Sequence, residues 1–589
     1  MEQDSERHKL RIMQNYSINI RRLVVGILNF LAILSLLSLV CAVNPDLPSG
    51  VTFGQWTWFV KTILGAACCT AVAVLLQISR NQFWGNLISF PYFARYVAWS
   101  LMLLGGVEAV WGLRQLYGFS VSGHSLYNLT GSFYNPGPYG GYLAMVLPVC
   151  LHYYASPRGK WKEMWWYEKI GKLLAVVTGI LILCVLPATM SRSAWIAALL
   201  SCGWVMYMFA SKKYKKWVSR KSYRKGTVRW VGGMLALLLI GGGIGMFRMK
   251  SDSALGRVFL WRMTCQAIMQ HPFVGTSTPA VSYSDAQETY FAKGTYATWE
   301  ERVAGSPKYA FNEYLEIWLE WGLFLLLVLC WLAGVSIWQG IRGHNYGLCG
   351  AIISLLIFCF SSYPFQFPAF IITMILLLLA CSGIGALAGR LILFVVTILA
   401  LAFNVTGYND NKMEAYRNWS NAKILYHAGA YESAEKSYLA LMPDLSDEAS
   451  FLFEYGHCLH KTGDYEESTR ILKRAGQYST DPMILNVIGK NYQQEGKYEE
   501  AEKVFIRATH RLPGRIYPYY LLAKLYAEPG FLHPDKFVEM QRIVMTKEPK
   551  VSSTAIRQMR EELEKLSANI VIVNRSKYLL HNDSPPDIR

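Results

Sequence analysis

Apolar residues run in long unbroken stretches through the first two thirds of the chain and fall at helical spacing through the last third. The long runs centre on 23–43, 58–78, 96–117, 139–155, 173–189, 194–210, 230–247, 314–339, 346–362, 370–387 and 391–405. Each approaches the roughly 20 residues that a helix needs to cross a bilayer. The pattern predicts an all-α protein, a polytopic membrane bundle of about eleven spans. The first run is too long for the core of a signal peptide and reads as a span. One polar stretch, 248–322, interrupts the runs. Loops beyond roughly 12–15 residues are functional or disordered as a rule. This one carries aromatics, arginines and helix-like segments, so order is expected, as the roof of a site at a membrane surface.

After about residue 411 the pattern becomes that of amphipathic soluble helices. A motif recurs there: Gly429-Ala430-Tyr431-Glu432, Gly463-Asp464-Tyr465-Glu466 and Gly496-Lys497-Tyr498-Glu499. The third copy is the fullest, with Gly489, Tyr492, Ala501, Phe505, Ala508 and Pro513, and a weaker fourth starts near Tyr519, Ala523 and Tyr526. A period of about 34 residues resembles the tetratricopeptide family over 414–526. The resemblance implies an α-solenoid with a concave surface for a protein partner. A rigid spacer or dimer contact is the other reading. The expected division is a cytoplasmic 1–22, a membrane domain 23–410 with an extracytoplasmic loop 248–313, repeats over 411–530, and terminal helices and tail over 531–589.

Composition agrees with a membrane protein: of 589 residues, 53% are hydrophobic and 17% charged. The net charge of +18 does not point to nucleic acid, because the basic residues crowd into short loops between apolar runs. Arg80 and Arg95 lie in one such loop, Arg158, Lys160, Lys162, Lys169 and Lys172 in the next, and Lys212 to Arg229 in a third. The positive-inside rule puts these loops and the N-terminus in the cytoplasm, and the loop 248–313 and the repeats outside. The 12 cysteines show no zinc spacing and read as small apolar residues. No P-loop, dinucleotide fingerprint, HExxH or EF-hand pattern is present, so neither metal nor cofactor is expected.

Charged groups at the outer ends of the runs are the candidates for chemistry. Arg192 sits in Thr189-Met190-Ser191-Arg192-Ser193-Ala194-Trp195, a short break on the side otherwise poor in positive charge. Ionisable groups at membrane depth cost a few kcal/mol and are functional candidates. Glu108 and Arg114 are similar, with an Arg/Glu pair that locks helices as the structural alternative. In Leu255-Gly256-Arg257-Val258-Phe259-Leu260-Trp261-Arg262, a helix puts Arg257 and Trp261 on one face. Guanidinium groups can grip a phosphate bidentately; an interfacial helix facing lipid phosphates explains the same spacing. Asn312 is placed to cap a helix starting at Glu313, with Glu313, Glu316 and Glu320 on one face. Glu320 falls two turns into an apolar run and needs a partner, for which the arginines are candidates. A carboxylate here can act as a base; cap plus ion pair is the plainer reading. His271-Pro272 followed by Gly275 reads first as a helix stop.

Several of these stretches together resemble the bacterial O-antigen ligase superfamily, which also includes O-antigen polymerases and pilin-type O-oligosaccharyltransferases. They are Gly131-Ser132-Phe133-Tyr134-Asn135-Pro136 before Gly140-Gly141-Tyr142-Leu143-Ala144, then Ser191-Arg192-Ser193-Ala194-Trp195. Arg257 to Trp261 leading to His271-Pro272-Phe273-Val274-Gly275 follows, and last Asn312-Glu313-Tyr314-Leu315-Glu316 with Glu320 and Gly322. The resemblance implies transfer of a glycan from a polyprenyl diphosphate to an acceptor hydroxyl at the outer face of a bacterial inner membrane, with neither nucleotide nor metal. It matches the family's outer-face arginines to Arg192 and the Arg257/Arg262 segment, as holders of the donor diphosphate. The family commonly has His-Asn where this chain has Phe311-Asn312, so its proposed base is missing here. Glu313, Glu316, Glu320 or His271 are the replacements within reach. The acceptor is a lipid core, a protein hydroxyl or another glycan. A non-enzymatic scaffold working through its repeats is the competing reading; a transporter would show matched halves with broken helices, which are not seen.

Overall fold

Wherever a long apolar run falls on described residues, it folds as a helix. The computed structural model describes residues 23–43, 51–77, 93–124, 126–156, 165–218, 251–276, 278–382, 408–549 and 553–582, and no strand occurs among them. The runs expected at 230–247 and 391–405, the N-terminal 1–22, the basic stretch 219–229 and the tail after Asn582 lie outside the described residues.

The membrane part opens with α1 (Leu23–Cys41), α2 (Val51–Gln77), α3 (Phe93–Leu116), α4 (Pro136–Ala155), α5 (Trp165–Val185) and α6 (Arg192–Val218). The polar stretch supplies α7 (Ser251–Ile268), α8 (Pro279–Ala292) and α9 (Thr298–Val303). Then come α10 (Glu313–Arg342), α11 (Tyr346–Cys359) and α12 (Pro368–Ser382). Among the described residues six helices, α1, α2, α3, α5, α6 and α10, are long and apolar enough to cross a membrane. The expectation of about eleven counted others that fall short. Helices α11 and α12 are apolar but shorter. In α4, three prolines, four tyrosines and His152 dilute the apolar content.

Two compact units form, one of residues 1–246, 311–314 and 324–413, the other of 247–310, 315–323 and 414–589. In the first, α4 is the hub and packs against α3, α5, α6 and α11. Tyr139, Tyr142, Leu143, Ala144, Met145, Val146 and Val149 are fully buried. A helix buried around its whole circumference belongs in a core. Helices α2, α5 and α6 leave Leu75, Leu173, Leu199 and Met206 exposed, as lipid-facing positions require.

The second unit joins the polar loop to the C-terminal helices. These are α13 (Tyr408–His427), α14 (Tyr431–Leu445), α15 (Ala449–Thr462), α16 (Tyr465–Ala475), α17 (Pro482–Gln494), α18 (Tyr498–Arg511), α19 (Tyr517–Tyr526), α20 (Pro534–Thr546) and α21 (Thr554–Asn582). The repeated Gly-x-Tyr-Glu is a turn between paired helices. Gly429, Gly463 and Gly496 each adopt positive φ, and Tyr431, Tyr465 and Tyr498 each begin the next helix. A left-handed residue after a helix favours glycine, since a Cβ there is strained. Residues of α7, α8 and the loop share a small core with the C-terminal part: Phe259, Met263, Phe291, Ala304 and Leu512. Helix α8 lies against α18. There the Arg511 guanidinium reaches Asp285 at 3.1 Å and Glu288 at 2.9 Å, and Gln287 Nε2 donates to Arg511 O at 2.7 Å.

Candidate active site

At one end of the first unit, helices α4, α6 and α10 begin in the same way. Tyr134, Met190 and Phe311 have φ of 56°, 52° and 53°, and each stands two residues before the first residue of its helix. Left-handed backbone at a bulky residue is strained by roughly 1–3 kcal/mol and persists where its surroundings hold it. The intervening residues are Asn135, Ser191 and Asn312, all from the motifs singled out in the sequence. Asn135 Oδ1 accepts from Gly137 N at 2.9 Å, and Asn312 Oδ1 accepts from Tyr314 N at 3.0 Å, so Asn312 caps its helix as expected.

Arg192 is the half-buried first residue of α6. Its segment is held by Trp195, whose Nε1 donates to Leu186 O at 2.9 Å. It also lies against the start of α4, where a Cβ on Gly140 would meet Thr189 Oγ1 at 3.0 Å and Ser191 Cβ at 3.3 Å. Glu313 is buried, and its Oε1 accepts from Phe365 N at 2.7 Å. Tyr363 ties two motifs together. Its hydroxyl accepts from Asn135 Nδ2 at 3.0 Å, and its ring meets Phe311 edge-on at 5.1 Å. Sequence reasoning missed Tyr363. Its only signal in the sequence was the absence of Lys and Arg from the short stretch 363–368.

Glu108 and Arg114 do not form the ion pair of the structural alternative among the described residues. Six positions apart on a helix, they are turned about 120° from each other. Glu108 is fully buried and its Oε2 accepts from Ser132 N at 3.3 Å, whereas Arg114 is exposed at the end of α3. The unforeseen anchor is Gln115: its Oε1 accepts from Thr130 N at 3.0 Å and Gly131 N at 2.8 Å, fixing the Gly131-Ser132-Phe133 motif.

In the second unit, α7 forms as predicted and carries Arg257, Trp261 and Arg262. Arg257 is half-buried. Trp261 Nε1 donates to Ala310 O at 3.1 Å, and the N–H of Ala310 donates to Glu316 Oε2 at 2.7 Å. Arg262 is engaged inside the loop: it pairs with Glu300 at 3.0 Å and lies 5.0 Å from the Tyr290 ring centroid. The Tyr283 hydroxyl donates to Pro307 O. Burial, first of all, and the Glu316 carboxylate hold that phenol well above its ordinary range, so it stays a donor.

His271 is exposed just beyond the end of α7, which confirms the helix stop. The residues after it lie against a break in α10. Gly322 has φ 83° and ψ 169°, so the expected single span from 314 to 339 is interrupted. A Cβ on Gly322 would fall 2.0 Å from Phe273 O, and one on Gly275 2.5 Å from Glu320 O. Thr276 N donates to the freed Leu319 O at 2.7 Å, and Trp318 Nε1 to Pro272 O at 2.8 Å. Glu320, half-buried, lacks the expected arginine: it has no ion pair among the described residues. Among the described residues no three His, Cys, Asp or Glu side chains cluster as metal ligands would.

A protein-family model described as O-Antigen ligase matches residues 177–330. The matched segment holds Arg192, Arg257, Trp261, Arg262, His271, Asn312, Glu313, Glu316 and Glu320. The match supports the resemblance to the O-antigen ligase superfamily and a membrane glycan ligase or polymerase kind of function. With the six apolar helices it marks a multi-pass membrane protein. No curated protein matches the chain.

Proposed function

We infer that this protein transfers an oligo- or polysaccharide from a polyprenyl diphosphate to an acceptor hydroxyl at the outer face of a bacterial inner membrane. The observation that carries the reading is the O-antigen ligase match over 177–330, because it contains nearly every charged residue singled out as chemical. The donor's leaving group is a diphosphate. As the glycosidic bond to it breaks, negative charge builds on the diphosphate oxygens, and fixed cations stabilise that charge. Arg192 and Arg257 are the cations we assign to it, since a guanidinium can offer two parallel hydrogen bonds to a phosphate. Arg262 takes an indirect part, because its guanidinium already serves Glu300 and Tyr290.

A base must take the acceptor's proton. Phe311 stands at the position of the family's proposed histidine. Glu313 and Glu316 each spend an oxygen on a backbone N–H, which suits them to holding the chain in place. Glu320 has no such bond, and we assign it as the base, with His271 as the alternative. The test is a strain lacking this protein, complemented with wild type or with Arg192→Ala. Wild type restores the glycan product. The variant inserts normally, accumulates lipid-linked glycan and makes no product. Normal product from Arg192→Ala would remove Arg192 from the site.

A second reading has its own support: protein O-glycosylation, in which the paired helices of the second unit present a protein acceptor. The same strain distinguishes the two, since either a glycolipid or a glycoprotein disappears.

A further inference from the structure

Four helix ends in the first unit enclose a cavity of 330 Å³ far from the residues discussed so far. It lies at the start of α3, the end of α4, the start of α5 and the start of α11, and Arg95, His152, Glu168, Lys172 and Asn345 line it with Trp99. Helix α4 separates it from Asn135 by 20 residues, about 30 Å at 1.5 Å per residue. Small-molecule sites occupy roughly 300–1,000 Å³, so the volume suits a compact head group. In the sequence, Arg158, Lys160, Lys162 and Lys169 follow the end of α4. In a membrane helix bundle such an end lies at the level of the lipid head groups.

The lining has both signs of charge. Arg95 and Lys172 are cations, Glu168 is an anion, and all three are half-buried. Lys172 Nζ donates to Ser156 O at 3.0 Å, which holds the ammonium at the rim. Ala94, Ala98, Val149 and Leu348 complete the wall and suit an apolar stem.

We propose that this cavity binds a phosphate ester carrying a neighbouring ammonium, the chemistry of an aminophospholipid head group or of its soluble phosphoester. The phosphate sits on Arg95 and Lys172, and the ammonium on Glu168. A purely anionic head group would meet the Glu168 carboxylate and be disfavoured. The site is independent of the glycan-transfer reading, since none of its residues falls within the 177–330 match.

The test uses the full-length protein, purified in detergent and delipidated. Native mass spectrometry and thermal shift measure binding of phosphatidylethanolamine, phosphatidylglycerol and O-phosphoethanolamine. Wild type is expected to retain and be stabilised by phosphatidylethanolamine about tenfold more tightly than by phosphatidylglycerol. Arg95→Gln and Lys172→Gln weaken that binding by about tenfold. Glu168→Gln removes the preference between the two lipids. If O-phosphoethanolamine competes at similar concentration, the natural ligand is the soluble phosphoester; if it does not, the ligand is the lipid. Equal binding of both lipids to wild type, which needs no variant, overturns the proposal. So does retention unchanged in both Arg95→Gln and Lys172→Gln.

Discussion

Trp261 and Glu316 hold the two sides of one peptide group. The indole donates to Ala310 O at 3.1 Å, and the carboxylate accepts from Ala310 N at 2.7 Å. The far end of the polar loop is thereby fixed just before Phe311, Asn312 and Glu313. Trp261→Phe deletes one neutral hydrogen bond, with an expected cost of about 1 kcal/mol. Glu316→Ala leaves a buried N–H without a partner, with an expected cost of about 1–3 kcal/mol. Hydrogen exchange over residues 304–316 is expected to rise in both variants, more in the second. Glycan transfer is expected to fall with it.

Arg192→Ala is expected to lower transfer by about 100-fold or more, the scale seen when one preorganised charge-stabilising group is removed. Arg192→Lys keeps the charge but loses bidentate geometry, and recovers only part of the activity. Turnover of a lipid-linked donor by purified protein distinguishes the two. Equal rates for wild type and Arg192→Ala would end the assignment.

Gly322→Ala tests the break in α10. The residue lies at φ 83°, and a Cβ would meet Phe273 O at 2.0 Å. Strain at φ alone costs about 1–3 kcal/mol, and here backbone must also move. The variant is expected to unfold at lower temperature in detergent and to expose residues 272–276 to protease. Wild-type behaviour would show that the break is not required.

The paired C-terminal helices have a pH limit. Burial, with the positive charge of Lys461, His460 and Lys490 added, pushes the His457 imidazole down to about 4 from its ordinary 6.5, and burial also lowers His460. The unfolded chain therefore binds more protons than the folded one between these values. This part of the stability is present above about pH 6.5 and is lost as pH falls toward 4. A melting curve of the full-length protein is expected to shift down over that window. His457→Gln, which removes the titrating group, is expected to flatten the dependence.

Much of this was legible in the chain. Apolar length located α1 and α3 within a few residues and the apolar middles of α5 and α6, and the recurring Gly-x-Tyr-Glu located the turns of the second unit. Asn312 declared itself as a cap because its side chain acts on a backbone two residues away. What stayed hidden was long-range. Tyr363 meets Asn135 across 228 positions, and Arg511 meets Asp285 across 226. No periodicity encodes such contacts. The alternative in which Glu108 pairs with Arg114 is not met among the described residues, since six helical positions turn the two side chains about 120° apart. Helix α4 escapes a hydropathy criterion because it is a hub among other helices and does not need a lipid-facing surface.

The C-terminal helices are not a detachable tail. Leu512 fills the same small core as Phe259 and Phe291, and Arg511 is the countercharge for Asp285 and Glu288. A chain cut after residue 413 would lose both, stranding two acids and opening a greasy hole beneath the segment that bears Arg257. An inactive truncation would thus report a collapsed scaffold as readily as a lost recruitment surface. Separating those outcomes calls for point changes on the outward faces of α15 and α17, with Leu512 and Arg511 left in place.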